Sequence, residues 1–459
     1  MRVALGPGLR RGGALDGGRV HRHEASTHVN DAQDGSSRRT GSRSFLLVTI
    51  AIALAACGSA PTAQDVPPAK RTTALSADPV PADRPSRVDY RRLEERIARL
   101  MQEPDMVGLA VGAVERGEVR FVRGFGETLA GSGQPVTPDT VFRWASVSKG
   151  VASALVTKLA EDGRLSLDAP LAGMGTTLTL PGDARNVTVA DLLSHRVGLV
   201  RNAWDERLEA GEDPRALRAG LSTLPPYCPP ATCYSYQNIA YDAAAEIVER
   251  AAGQDYAEAA RARLFAPLGM SRTSVGRAGL QAAPSWAQPH RNARTPTTVN
   301  DNYYRVPAAG GVNSSIRDLV RWMRAQMGDA PAVLSPAALA TMQTPRVATP
   351  PHGRRGPMDR ALTDAAYGLG WRSFGYAGRR LVGHRGSVDG YGSLMLFDPA
   401  DRSGIVMLWN SGRGTPARLQ LEFFDMLYGL PATDWLALEP TPDGSGAAAG
   451  PMPVPGATR

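Results

Sequence analysis

The chain has 459 residues, 42% of them hydrophobic, with 52 Lys plus Arg against 44 Asp plus Glu, a net charge of +8 and three cysteines. That length admits two or three structural units, and the apolar share supports a sizeable core. The arginines are dispersed and no helix reads as a basic stripe, which sets nucleic-acid binding aside; His195, His290, His352 and His384 fall into no metal-ligand spacing such as H-E-x-x-H.

Residues 1–37 fit no part of a targeting signal and read as the product of a start codon assigned too far upstream. Arg38, Arg39 and Arg43 then precede the apolar run 45-FLLVTIAIALAAC-57, which is short for a membrane span and has the flanks of a secretory signal. Its end, Leu54-Ala55-Ala56-Cys57, resembles the lipobox of bacterial lipoproteins. That resemblance implies an exported, periplasmic protein lipidated on Cys57, with the outer membrane favoured because Gly58, not Asp, follows. Residues 58–87 are rich in Pro, Ala and Thr and read as a disordered tether.

The folded body is expected over 88–432. It opens with a helix, 88–102, whose Leu93, Ile97 and Leu100 recur at helical spacing. Strands follow at 107–115 and 118–127, joined by an Arg116-Gly117 turn. Extended residues 142–145 lead into a helix that starts at Ser146. Two more strands, 391–399 and 403–411, and an amphipathic helix, 416–429, close the body. Strands at both ends with helices between predict an antiparallel sheet made from distant segments, 88–174 and 362–432, flanked by helices. An all-helical subdomain is expected over 175–361 and a disordered tail over 433–459. Cys228 and Cys233, in 227-YCPPATC-233, are close enough in sequence to close a small loop, and export into an oxidising compartment predicts a disulfide.

Three stretches carry chemistry. In 143-RWASVSKGVASALV-156 a lysine stands three residues after a serine, in a chain whose lysines are Lys70, Lys149 and Lys158 alone. Three residues along a helix is one face, so the Ser146 hydroxyl and the Lys149 amine can meet. A serine nucleophile needs a neighbouring base. A buried lysine at a helix N-terminus can lose its proton, whereas an arginine effectively never does. In 232-TCYSYQNIAYD-242, Tyr236 offers a phenol for proton transfer and Asn238 an amide for a substrate, in a loop leading into a long helix. A tyrosine beside a cationic lysine is expected to ionise more easily. In 381-LVGHRGSVDGYG-392, the glycine-broken segment His384-Arg385-Gly386 lets a substrate approach the backbone. The N–H of Ser387 there and that of Ser146 are candidates for an oxyanion hole. No G-x-S-x-G pentapeptide occurs, which excludes the nucleophile elbow of the α/β-hydrolases.

Taken in this order, the three stretches resemble those of the serine hydrolase family that contains class C β-lactamases, serine-type D-Ala-D-Ala carboxypeptidases and related esterases. The segments 188-TVADLLSHRVGL-199, 307-PAAGGVNSSIRDLVRWM-323, 367-YGLGW-371 and 405-IVMLWNSG-412 extend the resemblance over roughly 90–430. It implies a β-lactamase/transpeptidase-like fold and a serine hydrolase that works through an acyl-enzyme without metal or organic cofactor. Ser146 is then the nucleophile, Lys149 its amine partner and Tyr236 the second proton-transfer group, with Asn238, His384, Gly386 and Ser387 contacting substrate. The substrate implied is a small molecule or peptidoglycan-like: a β-lactam, a D-Ala-D-Ala-type amide or an ester. The alternative on the same fold is an inactive protein that binds cell-wall peptides or a partner. His384 departs from the lysine usual in the β-lactamases, and Arg385 is the candidate for supplying the missing charge. His195 reads as structural.

Overall fold

The computed structural model describes residues 75–79, 85–292, 294–350 and 356–439. Cys57 and the apolar run before it lie outside the described residues, as does 440–459 of the expected tail. Among the described residues no helix is long and apolar enough to cross a membrane.

Helix α1 (Tyr90–Leu100) starts where the Asp89 carboxylate accepts the Arg92 N–H, and it buries Leu93, Ile97 and Leu100. Strands β1 (Gly108–Glu115) and β2 (Glu118–Gly126) are joined by Arg116 and Gly117, both at positive φ (53° and 83°), the two-residue turn whose twist matches a hairpin. Strand β3 (Val141–Arg143) precedes a 3₁₀ turn, Ala145–Ser148, which runs directly into helix α2 (Lys149–Glu161). A short helix α3 (Asp205–Glu209), helix α4 (Ala243–Ala252), strand β4 (Ser274–Val275), strand β5 (Val312–Ser315) and helix α5 (Ile316–Gln326) follow. Then come β6 (Val347–Ala348), β7 (Thr363–Tyr367), β8 (Arg372–Tyr376), β9 (Arg379–Val388), β10 (Tyr391–Asp398), β11 (Ser403–Trp409) and helix α6 (Leu419–Tyr428).

Eight strands form one antiparallel sheet in the order β2-β1-β11-β10-β9-β8-β7-β6. Leu109 pairs with Trp409, so the beginning and end of the body meet within one sheet, as the sequence led us to expect. Every residue of β1 is buried, because helices cover both faces. Ala110 and Val114 join the core shared with α2, α4 and α5, while Leu109, Val111 and Ala113 join the core under α1 and α6. Full burial of one such aliphatic side chain stabilises the fold by roughly 1.5–3 kcal/mol.

Three stretches differ from the sequence reading. The span 175–361 is rich in helix and turn, but it also supplies β4, β5 and β6: β5 pairs with both β3 and β4 in a separate three-stranded sheet, β3-β5-β4, and β6 edges the main sheet. Its helix α5 packs on β1 and β11, so that part belongs to the sheet layer. Part of the expected tether is built into the body: Ala77 is fully buried, Arg321 donates to the Leu75 carbonyl, and Arg87 pairs with Asp401. The first residues of the expected tail dock as well. Leu436 is buried, Trp435 Nε1 donates to Asp425 at 2.7 Å, and Arg96 pairs with Glu439 at 3.0 Å. Two or three apolar side chains inside a Pro- and Ala-rich segment suffice to dock it against an existing core, and composition does not register so few.

Candidate active site

The nucleophile turn is held from three sides. The Trp144 N–H donates to the Val312 carbonyl at 2.8 Å, and its carbonyl accepts the Ser393 hydroxyl at 2.5 Å. Ala145 then adopts φ of 48°, a left-handed conformation uncommon for a residue with a side chain, and so lifts Ser146 out of the buried surroundings of its neighbours. Strand β9 closes on the other side. A Cβ at Gly386 would lie 2.2 Å from the Trp144 carbonyl oxygen and 3.0 Å from Ala145 Cβ, so only glycine lets this strand, with the backbone of Ser387 next along it, come alongside the turn.

Lys149, the first residue of α2, is fully buried. Its Nζ lies 3.4 Å from Ser146 Oγ, 2.7 Å from Asn238 Oδ1 and 3.0 Å from the Ala309 carbonyl. Burial lowers its pKa from 10.5 to about 7 against the opposing pull of Asp205 and Asp242. A neutral amine has two hydrogens and one lone pair. The Asn238 and Ala309 oxygens take the two hydrogens, and the lone pair is left for the hydroxyl of Ser146.

Tyr236 packs beside the lysine, with Lys149 Nζ 4.7 Å from its ring centroid. Its hydroxyl is buried and has no hydrogen bond of ordinary geometry. Burial raises its pKa, and the neighbouring Ser146 hydroxyl offsets only part of that. This corrects the expectation of an easily ionised tyrosine: desolvation outweighs the Ser146 hydroxyl and the charge of Arg372, and the phenol keeps its proton at neutral pH. Behind Tyr236 runs a buried chain of hydrogen bonds. The Gln237 N–H donates to His195 Nδ1 at 3.2 Å, which leaves the His195 hydrogen on Nε2, 3.2 Å from the Tyr367 hydroxyl. That hydroxyl is 3.0 Å from His384 Nε2, and His384 Nδ1 is 2.7 Å from the Arg385 carbonyl, to which it donates. Burial holds both imidazoles well below their ordinary pKa, so the chain is neutral. Cys228 and Cys233 are joined in a disulfide. Their loop leans on the segment before it, with the Ala231 N–H donating to the Arg196 carbonyl at 2.7 Å and the Tyr227 N–H to that of Gly198 at 2.8 Å.

With this geometry in place, the sequence matches the beta-lactamase family model over residues 93–429. The chain belongs to the beta-lactamase family. It has the mixed α/β fold of that family. Unguisins hydrolase ungD' of Aspergillus campestris (strain IBT 28561) is 28% identical over 308 residues, 64% of this chain and 56% of that protein. Penicillin-binding protein 4 of Amycolatopsis lactamdurans is 28% identical over 355 residues, 71% of this chain and 87% of that protein. Among solved structures, the octameric penicillin-binding protein homologue from Pyrococcus abyssi has a TM-score of 0.67 at 25% identity, covering 74% of this chain and 78% of that one. The chain spans less than two thirds of the length of the two Aspergillus hydrolases it matches, 56% and 65%.

Within this beta-lactamase-family site, Ser146, Lys149, Tyr236 and Asn238 converge, and His384 and Gly386 form the facing strand. Ser387 has an exposed side chain on that strand, opposite Gly392. Arg385 does not join them. In the β9–β10 register His384 pairs with Met395 and Arg385 with Leu394, on opposite faces, and the Arg385 guanidinium lies 3.2 Å from Met358 Sδ. It therefore does not supply the charge of the lysine that His384 replaces. Sequence reasoning missed Asp205, whose Oδ2 accepts Asn238 Nδ2–H at 2.6 Å. In 202-NAWDER-207 an acid opening a short helix has the look of an ordinary surface residue. It missed Tyr367 too, although 367-YGLGW-371 was singled out as a motif.

Proposed function

We propose that this protein is an exported, lipid-anchored serine hydrolase that forms an acyl-enzyme on Ser146. Neutral Lys149 takes the Ser146 proton as the hydroxyl attacks an ester or amide carbonyl. The N–H groups of Ser146 and Ser387 receive the negative charge that develops on the carbonyl oxygen. Tyr236, still a phenol, gives its proton to the leaving group and regains one from the Lys149 ammonium; water then releases the acyl group through the same transfers in reverse. The observation that carries this reading is the Lys149 amine at 3.4 Å from Ser146 Oγ, with its two hydrogens held elsewhere.

The uncharged His384 supports a narrower substrate class. With His384 uncharged and Arg385 on the far face, a leaving group without a carboxylate is favoured over a β-lactam or a D-Ala-D-Ala-type peptide. Fluorophosphonate labelling tests the enzyme reading: label present in the native protein and absent from Ser146→Ala supports it, and no label in either leaves a binding protein. Turnover of p-nitrophenyl butyrate, nitrocefin and a diacyl-D-Ala-D-Ala peptide side by side tests the class. The ester is expected to lead in kcat/KM, and a lead by either carboxylate substrate overturns that preference.

A further inference from the structure

The Asn238 amide can sit in its niche two ways round. With Oδ1 toward Lys149, it accepts an N–H and leaves the amine lone pair for Ser146. With Nδ2 toward Lys149, it donates into that lone pair and the base is lost. The surroundings decide between them. Asp205, 5% exposed, presents Oδ2 at 2.6 Å from Asn238 Nδ2. A carboxylate only accepts, so it demands the amide nitrogen and turns the oxygen toward Lys149, where the contact is 2.7 Å.

We propose that Asp205 is a positioning residue for the acyl transfer: through the Asn238 amide it holds the Lys149 amine with its lone pair facing Ser146. The inference rests on the reading of Lys149 as base. It gives a short helix outside all three sequence motifs a place in the reaction.

The same carboxylate acts on Lys149 through space. The titratable groups around Lys149 are Asp205, Asp242, Tyr236, Tyr241, His195 and His384. The two histidines are neutral and the tyrosines protonated, and Asp242, paired with Arg218 at 2.7 Å, is itself raised by burial to about 7. Around Asp205 itself stand Lys149, Glu209 and Tyr303, whose hydroxyl donates to Glu209 at 2.9 Å. Burial raises the Asp205 pKa to about 6, while the Asn238 amide and the charge of Lys149 pull it down. Asp205 raises the Lys149 pKa, and removing its charge therefore lowers it. Activity needs the neutral amine, so the acid limb of the rate profile moves to lower pH.

The test is kcat/KM for p-nitrophenyl butyrate against pH in native protein, Asp205→Asn, Asp205→Ala, Asn238→Ala and Asp205→Ala/Asn238→Ala, with a thermal melt of each variant to show that it is folded and fluorophosphonate labelling of Ser146 in the native protein. Asp205→Ala is expected to cost on the order of 10²-fold, since a misplaced general base forfeits most of its contribution. Asp205→Asn, which keeps an acceptor, is expected to cost less and to move the acid limb to lower pH. In the Asn238→Ala background the further loss from Asp205→Ala at the pH plateau should be small, because the hydrogen-bonded route to Lys149 is gone and only the through-space effect on the acid limb is left. An unmoved acid limb in Asp205→Asn, or an equal loss from Asp205→Ala with and without Asn238, overturns the proposal while leaving the Ser146–Lys149 reading intact. Failure of native Ser146 to label overturns both.

Discussion

The two walls of the cleft are built from the same materials and handle protons differently. One wall is Asp205, Asn238, Lys149 and Ser146, with a carboxylate at one end and an amine near neutrality at the other. The other is His195, Tyr367 and His384, more deeply buried and equally continuous, but held neutral throughout. The difference lies in what each wall offers a proton. The first contains a base whose lone pair has one direction left open. The second has every ring nitrogen engaged, so it fixes the positions of Tyr236 and of β9 without taking part in transfer. Burial produces both outcomes. It lowers the lysine into the working range, where a shift from 10.5 to about 7 corresponds to roughly 5 kcal/mol against the charged form, and it removes the imidazoles from that range altogether.

Variants that act on one wall at a time sharpen this contrast. Lys149→Arg keeps the charge and removes the base, and kcat/KM for p-nitrophenyl butyrate is expected to fall by on the order of 10³-fold or more. Near-native rates in that variant would break the first wall's assignment. Tyr367→Phe cuts the neutral chain between His195 and His384 and leaves two buried nitrogens without their partner. We expect a smaller loss, about 10-fold, with the acid limb of the pH profile in place, because no titrating group has been removed; a thermal melt should register about 1–3 kcal/mol of destabilisation. A shift of that limb in Tyr367→Phe would mean that the second wall carries protons after all.

What the sequence made legible follows the range of each interaction. Ser146 and Lys149 are three residues apart on one helical turn, so spacing alone brought them together, and the strands at both ends of the body were visible as alternating apolar runs. Asp205 was not legible because its partner lies 33 residues away in a loop, and nothing in 202-NAWDER-207 sets it apart. The side to which Arg385 points needed the β9–β10 register, which a glycine-broken segment does not reveal. Strands β7 and β8 escaped because each is five residues long and 367-YGLGW-371, the link between them, hides their pairing. The ionisation of Tyr236 was misjudged for a related reason: the lysine in the neighbouring motif was visible in the sequence, and the burial that raises the phenol was not.

The most direct test of the account is the rate at which a fluorophosphonate labels Ser146 as a function of pH. A neutral Lys149 base predicts a rate that rises through a single limb with its midpoint near pH 7, and a limb that is missing from Lys149→Arg. A rate still climbing toward pH 10, or the same limb persisting in Lys149→Arg, would contradict it.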